Sequence, residues 1–515
     1  MPVSNLPIMS LAYLLEGLNH RYNHKREANL SVYGITYDSR RVKPGHLFIA
    51  VKGEEHDGNF YISEAVRNGA VAIVADQPPP GAPPVTWVQV PDSRLALAHM
   101  AANFFHHPAH EMLLVGVTGT CGKTTTTTIL QEIYKTAGLS NGLIGTVFVH
   151  CNRQFWPSRM TTPDALELQR LLRHMADSNV SHVVMEVSSH GLAQKRVDGI
   201  HFHGGVFTNI SANHLDFHQT LQEYAYAKWR LASLVKEGGF VLANGDDPLF
   251  RGMRVPSKAS HFFLGMGQSS HFRIHGIVLE KKGSFFGISI TNPIIKENYP
   301  NLAKDTYFFH IPLPGTHNVF NGAAAAVSAL LTGVAEESII QGLESFKGVE
   351  RRLQFYQCGD LQLMDDTAMS PGSINAVFQT LQELAFTGSE LVILYAVRGR
   401  RGTQVNEDNG RTLAEWVNKM KIEHFISTSS INHVDAQNEV LHEEKEAFLK
   451  GVKTGGATTK HFDDLEEAIN HALSVTIPDT STLLLLGAQG MDEGLNIIRE
   501  QYAREKELAP SSRRD

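Results

Sequence analysis

Residues 118–125 read Thr118-Gly119-Thr120-Cys121-Gly122-Lys123-Thr124-Thr125. They follow the apolar run 112–117 and precede a helical pattern that reaches about Ala137, so a strand turns into a helix there. Glycines let backbone N–H groups approach phosphate oxygens, and a helix N-terminus favours negative charge. We expect Lys123 to neutralise the β- and γ-phosphates and Thr124 to offer its hydroxyl to Mg²⁺. The segment therefore predicts an ATP-binding phosphate loop, although Val117 stands where such loops usually have their first glycine.

The stretch around this loop alternates between strands and helices. Apolar strands are expected at 182–187, 205–210 and 240–244, with helical patterns between them and an Ala-rich helix from Asn318 to about Thr332. Such alternation is typical of a parallel, doubly wound sheet. Between 260 and 312 the period changes to two, which predicts a small antiparallel patch attached to that sheet.

Two further α/β units flank the central one. Strands are predicted at 32–37 and 46–51 with a helix at 61–68, and later strands at 391–396, 424–428 and 482–487 with a helix at 411–420. A length of 515 residues corresponds to about three domains at ~150 residues each. We therefore expect an α/β protein with domains at 1–108, 109–346 and 347–515.

The composition excludes several classes of function. With 46 Lys+Arg against 53 Asp+Glu, the formal charge is −7, so the basic footprint of a nucleic-acid binder is missing. Cysteine occurs only at 121, 151 and 358, too sparsely for a disulfide framework. The N-terminus lacks a secretory signal and no apolar run reaches ~18 residues. These features predict a soluble cytoplasmic protein without membrane insertion.

Several further motifs accompany the phosphate loop, most of them after it in the chain and one before it. They are Thr161-Thr162-Pro163-Asp164, Glu186-Val187-Ser188-Ser189-His190-Gly191-Leu192, Gln194 with Arg196, Asn213-His214-Leu215-Asp216, Tyr226-Ala227-Lys228-Trp229 and, near the N-terminus, Asp38-Ser39-Arg40. With the loop, this set resembles the Mur ligases, the ATP-dependent peptide ligases of cell-wall precursor synthesis. The resemblance is to the MurE type, which extends UDP-N-acetylmuramoyl-dipeptide by one amino acid, and it covers residues ~30 to ~355 well.

This resemblance implies three domains: an N-terminal uridine-nucleotide-binding domain, a central P-loop ATPase-type domain and a C-terminal Rossmann-like ligase domain. It also implies ATP and Mg²⁺, small-molecule substrates (a UDP-muramoyl peptide and an amine) and a monomer. The implied site residues are, for catalysis, Lys123, Glu186, His214 and Lys228; for ATP, Gly119, Thr120, Cys121, Gly122, Lys123, Thr124, Thr125, Asn318, Asn321, Arg352 and Asp366; for the UDP substrate, Ser39, Thr161, Thr162, Ser188, Gln194 and Arg196; and for metal, Thr124, Glu186, His214 and Lys228.

Three of these residues also have a physical rationale. Glu186 ends a strand, where a carboxylate at the sheet's carboxyl edge can hold a cation. His214 is a possible second Mg²⁺ ligand, but Asn213 replaces the family's aspartate, and this loss of charge weakens cation binding. Lys228 matches a lysine that family members carry as a carbamate, which requires a neutral amine, whereas an ordinary lysine has a pKa of ~10.4.

The C-terminal unit departs from the family. Its Asp-Tyr-Ala-His-Thr-Pro motif becomes Asp366-Thr367-Ala368-Met369-Ser370-Pro371, and the Gly-Arg pair that reaches the nucleotide becomes Arg351-Arg352. The Asp-Asn-Pro-Arg motif that recognises diaminopimelate is absent near 429–433, and Gly-Lys-Gly-His-Glu becomes residues 488–492. Losing one arginine–carboxylate contact costs roughly 10- to 100-fold in affinity. Unless Arg398, Arg400, Arg401 or Arg411 compensates, we expect an amine other than diaminopimelate.

Three alternatives stand beside a cell-wall ligase. One is a ligase of a specialised-metabolite pathway that joins a different acid and amine, which the altered C-terminal unit favours. Another is a catalytically silent nucleotide-binding homologue. The last is an ATP hydrolase. The intact set of Lys123, Thr124, Glu186, His214 and Lys228 argues against a silent protein, and the uridine-domain motifs argue against a simple hydrolase.

Overall fold

Three large β-sheets follow one another along the chain, each flanked by helices. The computed structural model describes residues 8–23, 29–53, 56–78, 81, 84–211, 215–292, 294–299, 302 and 304–508. Within those ranges no helix is both long and apolar enough to cross a bilayer.

The first unit contains a five-stranded sheet in the order β2-β7-β6-β5-β4. Its elements are β1 (Met9–Ser10), α1 (Leu11–Leu14), β2 (Arg21–Asn23), β3 (Ser31–Val32), β4 (Gly34–Thr36), β5 (His46–Ala50), α2 (Ile62–Arg67), β6 (Ala72–Ala75), β7 (Thr86–Gln89) and α3 (Ser93–Phe104). Strands β4 to β7 pair in parallel, β2 closes one edge antiparallel to β7, and β1 pairs separately with β3.

The second unit is the largest. Its elements are β8 (Leu113–Thr118), α4 (Lys123–Thr136), β9 (Asn141–Ile144), β10 (Phe148–Cys151), β11 (Gln154–Pro157), α5 (Ala165–Asp177), β12 (His182–Glu186), α6 (Ser189–Ala193), β13 (Phe202–Phe207), α7 (Leu215–His218), α8 (Leu221–Ser233), β14 (Val235–Asn244), α9 (Pro248–Arg251), β15 (Ser260–Gly265), β16 (Phe272–Glu280), β17 (Gly283–Ile290), α10 (Ile294–Asn298), β18 (Thr306–Ile311), α11 (Thr316–Leu331) and α12 (Glu336–Glu344). The predicted strand at 205–210 begins and ends three residues earlier, at Phe202–Phe207.

These strands form one eleven-stranded sheet with β8 near its middle, in the order β11-β10-β9-β12-β8-β13-β14-β15-β16-β17-β18. Alternate residues of β8 enter different cores, Val115 and Val117 under α4 and α11 and Leu114 under α5 and α8. Burial on both faces confirms the doubly wound arrangement. Strands β16, β17 and β18 pair antiparallel, so the predicted patch continues the main sheet as its edge.

The third unit holds a six-stranded sheet in the order β19-β20-β24-β21-β22-β23, parallel except for β19. Its elements are β19 (Gln354–Cys358), β20 (Leu361–Asp366), α13 (Pro371–Glu383), β21 (Leu391–Ala396), α14 (Thr403–Met420), β22 (His424–Thr428), α15 (His442–Thr454), β23 (Lys460–Phe462), α16 (Leu465–Val475), β24 (Thr482–Leu486) and α17 (Gly494–Leu508). Helix α14 begins earlier than the predicted Arg411, because buried Asn406 and Asn409 interrupt its apolar pattern yet bond to Arg398 and Met369 backbone oxygens.

The second and third units meet where α13 packs against the start of α11. The Glu383 carboxylate accepts hydrogen bonds from the Thr316 backbone N–H (3.0 Å) and hydroxyl (2.8 Å). Thr380 Oγ1 lies 3.1 Å from His317 Nδ1. At the other end of α13, Gly372 lies against Ser211, whose N–H donates to Thr120 Oγ1, so the carboxyl edge of the C-terminal sheet lies near the phosphate loop.

Candidate active site

The phosphate loop joins β8 to α4 and has left-handed glycines at two positions. Gly119 has φ +149° and Gly122 has φ +85°. A Cβ at Gly119 would collide with Thr208 Oγ1, and one at Gly122 with Asn321 Oδ1. Both glycines are thus required by conformation and by close packing, as a loop that wraps a phosphate group needs.

Residues after β13 hold the loop in shape. Thr120 N–H donates to the Asn209 carbonyl at 2.8 Å, and Cys121 N–H donates to Asn209 Oδ1 at 2.9 Å. The Thr208 hydroxyl donates to the Cys121 carbonyl at 2.6 Å. Thr208 and Asn209 were not among the predicted site residues, although they stand in the Phe207-Thr208-Asn209-Ile210 motif at the end of an apolar strand, where sheet-edge residues are expected.

Lys123 begins α4 and bends back over the loop. Its Nζ donates to the carbonyls of Gly119 (2.9 Å) and Thr120 (3.0 Å). Burial lowers the pKa of Lys123, and the positive charge of Arg352 lowers it further, against the opposing influence of Glu186. An anion placed on the loop would favour the charged ammonium, so the site suits a polyphosphate.

Glu186, 1% exposed at the end of β12, connects Thr124 to a neighbouring segment. Its Oε2 accepts from the Thr124 hydroxyl (2.9 Å) and the Thr146 hydroxyl (3.0 Å), and its Oε1 accepts from Thr146 N–H (2.7 Å). A hydroxyl and a carboxylate are oxygen donors of the kind that Mg²⁺ prefers, so these residues fit the metal. Thr146 had no sequence signal, since it arrives from the loop after β9.

His214, with Asn213 beside it, lies outside the described residues. In the described part of the chain, no group of three or more His, Cys, Asp or Glu side chains is arranged to hold a metal ion.

Lys228 lies on α8, 1% exposed, and its Nζ donates to the Gly119 carbonyl at 2.8 Å. The ammonium also stands 4.5 Å from the centroid of the Tyr224 ring. Burial lowers the pKa of Lys228 well below the ordinary lysine value, and nearby Lys123 adds to this shift. The structure thus brings Lys228 beside the loop in a setting that favours its neutral amine.

The predicted adenine-side asparagines are buried at the start of α11. Asn318 Nδ2 donates to the Pro314 carbonyl at 2.9 Å, and Asn321 Nδ2 donates to Asn318 Oδ1 at 3.3 Å. Asn321 Oδ1 also accepts from Thr126 on α4 at 3.4 Å. Asn321 is therefore next to the loop, whereas Asn318 bonds to the Pro314 carbonyl that precedes its helix.

Arg352 and Asp366 approach the loop from the third unit. Asp366 ends β20 and accepts from Leu353 N–H at 2.7 Å, while Arg352 donates to Thr367 Oγ1. Burial raises the pKa of Asp366 to about 6, against the opposing charge of Arg352. Both side chains also influence the pKa of the Cys121 thiol, which burial raises. Their charges therefore act directly on the phosphate loop.

A cavity of about 800 Å³, which we call the second cavity to separate it from the phosphate-loop site, lies between the first and second units. Ser39, Gln194 and Arg196 all line it, together with Tyr37 and Asp164. Burial raises the pKa of Tyr37 to about 12, and the Asp164 carboxylate adds to the shift. The structure thus brings together three of the predicted UDP-substrate residues.

The other three predicted UDP-substrate residues, Thr161, Thr162 and Ser188, lie between that cavity and Glu186. The Thr162 hydroxyl donates to the Glu186 carbonyl (2.9 Å), and Arg196 Nη1 donates to the Thr162 carbonyl (2.8 Å). Thr161 Oγ1 accepts from Thr146 at 3.1 Å, and Ser188 Oγ caps α6 at Gly191 N–H. A chain of hydrogen bonds therefore joins the cavity to the phosphate loop.

At the divergent C-terminal edge, Arg400 pairs with Glu439 at 3.4 Å and Arg411 with Asp408 on its own helix. Arg401 donates to the Arg400 carbonyl, whereas Arg398 donates to the Met369 carbonyl at 3.3 Å. Of the four candidate replacement arginines, Arg398 is thus the one that contacts the 366–371 segment.

Three family models match successive parts of the chain. They describe the Mur ligase family catalytic domain at residues 31–105, the Mur ligase middle domain at 117–329 and the Mur ligase glutamate ligase domain at 351–489.

Curated relatives span nearly the whole chain. The UDP-N-acetylmuramoyl-L-alanyl-D-glutamate--2,6-diaminopimelate ligase of Caldanaerobacter subterraneus subsp. tengcongensis is 33% identical over 477 residues, 92% of this chain and 93% of that protein. The protein of the same name from Geobacillus thermodenitrificans is 33% identical over 475 residues, 90% of this chain and 91% of that protein.

Solved structures share the fold. MurF from Acinetobacter baumannii superposes with a TM-score of 0.65 at 21% identity, covering 97% of this chain and all of that one. MurF from Thermotoga maritima, in complex with ADP, gives 0.63 at 20% identity over 92% of this chain and 98% of that one. With its phosphate loop, its second cavity and these full-length relatives, the chain belongs to the Mur ligase family of ATP-dependent ligases.

Proposed function

We propose that this ligase extends a UDP-N-acetylmuramoyl peptide by an amide bond through an acyl phosphate. The single observation that carries the proposal is the hydrogen-bonded chain from Arg196 in the second cavity, through Thr162 and Glu186, to Thr124 at the phosphate loop. This connection supports an acid-binding role for the cavity and a phosphoryl-transfer role for the loop, because the two are joined by consecutive hydrogen bonds.

In the first step, a carboxylate oxygen of the acid attacks the γ-phosphorus of ATP. The bond between that phosphorus and the β,γ-bridging oxygen breaks, and ADP leaves with the electron pair. Lys123 and the loop N–H groups bind the charge on the transferring group. Arg196 and Ser39 hold the nucleotide end of the acid in the second cavity.

In the second step, the amine attacks the acyl carbon. Inorganic phosphate leaves with the electron pair of the carbon–oxygen bond, and the nitrogen loses one proton. The third unit binds the amine, because the carboxyl edge of its sheet lies near the loop and such edges are where α/β sheets bind ligands. Asp366 and Arg352 bind the nucleotide from the same edge.

Thr124 and Glu186 would hold Mg²⁺, with His214 as the further family ligand. The metal, when bound, neutralises phosphate charge. Lys228 is proposed to react as a neutral amine with CO₂, forming an N–C bond and losing a proton to give a carbamate. This change replaces a positive charge with a negative charge beside the loop.

The amine is proposed to differ from the diaminopimelate named for the relatives. Ser429 and Ser430 are buried where the family has its arginine motif, and Ser429 Oγ is hydrogen-bonded to His461 Nε2 at 3.0 Å. Arg398 offers one replacement cation for a carboxylate group. The same divergence favours, as second candidate, a family ligase that joins a different acid and amine.

Hydroxylamine trapping tests the proposal without knowledge of the amine. ATP, Mg²⁺, UDP-N-acetylmuramoyl-dipeptide and hydroxylamine should yield the hydroxamate of the acid, detected by mass spectrometry, together with ADP. Omitting the acid should abolish ADP formation. ADP release without hydroxamate would instead indicate a hydrolase, and binding of ATP without either product would indicate a silent homologue.

A further inference from the structure

The segment that leads into the third unit contains two left-handed residues that are not glycine. Arg351 has φ +57° and Leu353 has φ +48°, with Arg352 between them. L-residues rarely adopt this conformation, and it persists only where the surroundings compensate for the strain. Some side-chain interaction must therefore hold Arg351 in place.

The Arg351 side chain, 11% exposed, supplies that interaction. Its Nε lies 3.2 Å from both carboxylate oxygens of Asp365, a residue 2% exposed on β20. Its Nη1 donates to Asp492, after β24, and its Nη2 donates to the Gly487 carbonyl at 2.6 Å. One guanidinium thus ties the entering segment to the carboxyl ends of two neighbouring strands.

The backbone of Arg351 contacts the residues on the nucleotide side of the third unit. Its carbonyl accepts from Thr367 N–H (3.1 Å) and from Arg352 Nη1 (3.1 Å). Asp366 Oδ2 accepts from Leu353 N–H at 2.7 Å. The orientation of Arg352 and Asp366 towards the loop is therefore coupled to the position of Arg351.

We infer that Arg351 is a positioning residue: its guanidinium, bridging Asp365, Asp492 and Gly487, fixes Arg352 and Asp366 at the nucleotide side of the phosphate loop. The inference rests on the proposed function, since it assumes that ATP occupies the phosphate loop. Lysine would not reproduce this role, because one ammonium cannot contact three acceptors in a planar fork.

The test compares Arg351→Gly with Lys421→Gly in the hydroxamate assay. Lys421 is an exposed left-handed residue (φ +58°) at the end of α14, so its replacement controls for the backbone effect of glycine. Glycine relieves the strain at Arg351 while removing the bridge. We expect Arg351→Gly to raise KM for ATP about ten-fold, because a displaced Arg352 would lose one charge-assisted hydrogen bond to the nucleotide. KM for the acid should stay unchanged. Lys421→Gly should leave both KM values unchanged.

Asp492→Asn provides a second variant should Arg351→Gly fold poorly. Asp492 is 57% exposed, so the substitution disturbs little packing, and a smaller rise in KM for ATP is expected. A purely structural role would lower the melting temperature while both KM values stayed at wild-type levels, which would overturn the inference. Wild-type protein that forms no hydroxamate would refute the proposed function instead, so the two failures are distinguishable.

Discussion

Replacement of Glu186 by glutamine is the sharpest single perturbation of the site. The carboxylate accepts three hydrogen bonds within 3.0 Å, two from Thr146 and one from Thr124. Glutamine preserves shape and removes the charge. A hydrogen bond to a charged group contributes about 1 kcal/mol more than a neutral one, so three weakened bonds amount to roughly 3 kcal/mol. This weakens the local structure of the site, and losing the carboxylate charge from the metal side is expected to remove a similar amount of transition-state stabilisation, which corresponds to a loss in kcat/KM of about 100-fold.

Phosphate release at varied Mg²⁺ measures the effect. We expect Glu186→Gln to lower kcat/KM by about 100-fold and to raise the Mg²⁺ concentration needed for half-maximal rate. Glu132→Gln is the matched control, because Glu132 pairs only with Lys135 on the surface of α4 at 3.0 Å. A Glu186→Gln enzyme within three-fold of wild type at every Mg²⁺ concentration would refute the assignment of Glu186 as a metal-side residue.

Further predictions concern Lys228, Arg196 and Asp366. Lys228→Met should abolish hydroxamate formation, while ATP binding measured by calorimetry persists. Intact-protein mass spectrometry at high bicarbonate should detect one added CO₂ on the wild type and none on the variant. Equal CO₂ uptake by both proteins would contradict the carbamate. Arg196→Ala should raise KM for the UDP substrate about 10- to 100-fold with little change in kcat, as expected for one lost charge-assisted contact; an unchanged KM would exclude Arg196 from that cavity's function. Because Asp366 has a raised pKa of about 6, its negative charge is lost as pH falls through that value, and its attraction for Arg352 and its hydrogen bond from Leu353 N–H weaken. The positioning of Arg352 should loosen with them, so ADP affinity should fall below pH 6 in wild type, and Asp366→Asn should remove this dependence. The same raised pKa makes folding more favourable below the unfolded value of 3.8 than above pH 6, so Asp366→Asn should raise the melting temperature more at pH 8 than at pH 4.

The phosphate loop and Glu186 were predictable because their signals are local. A strand, a glycine turn and a helix within about 25 residues define the loop, and Glu186 ends an apolar run. Both features depend on chain neighbours alone. The three-layer α/β fold followed from the same alternation of strands and helices.

Contacts between distant segments were not predictable from the residues themselves. Lys228 contacts Gly119 across 109 positions of sequence, and only the family resemblance indicated its role. Thr146 reaches the site because neighbouring strands end at one edge of the sheet, and nothing in its local sequence marks it. The Arg351 bridge likewise depends on strands β20 and β24 becoming neighbours, although they are more than 100 residues apart.

The central claim is that the chain couples ATP cleavage to amide formation on a UDP-muramoyl peptide. Its most direct test is phosphate release with ATP, Mg²⁺ and UDP-N-acetylmuramoyl-dipeptide across a panel of amines that includes diaminopimelate, with mass spectrometry of the product. We predict release that requires both the acid and one amine, with an equal amount of amide. Release that is independent of the acid, or silence across the panel while ATP binds, would contradict the claim.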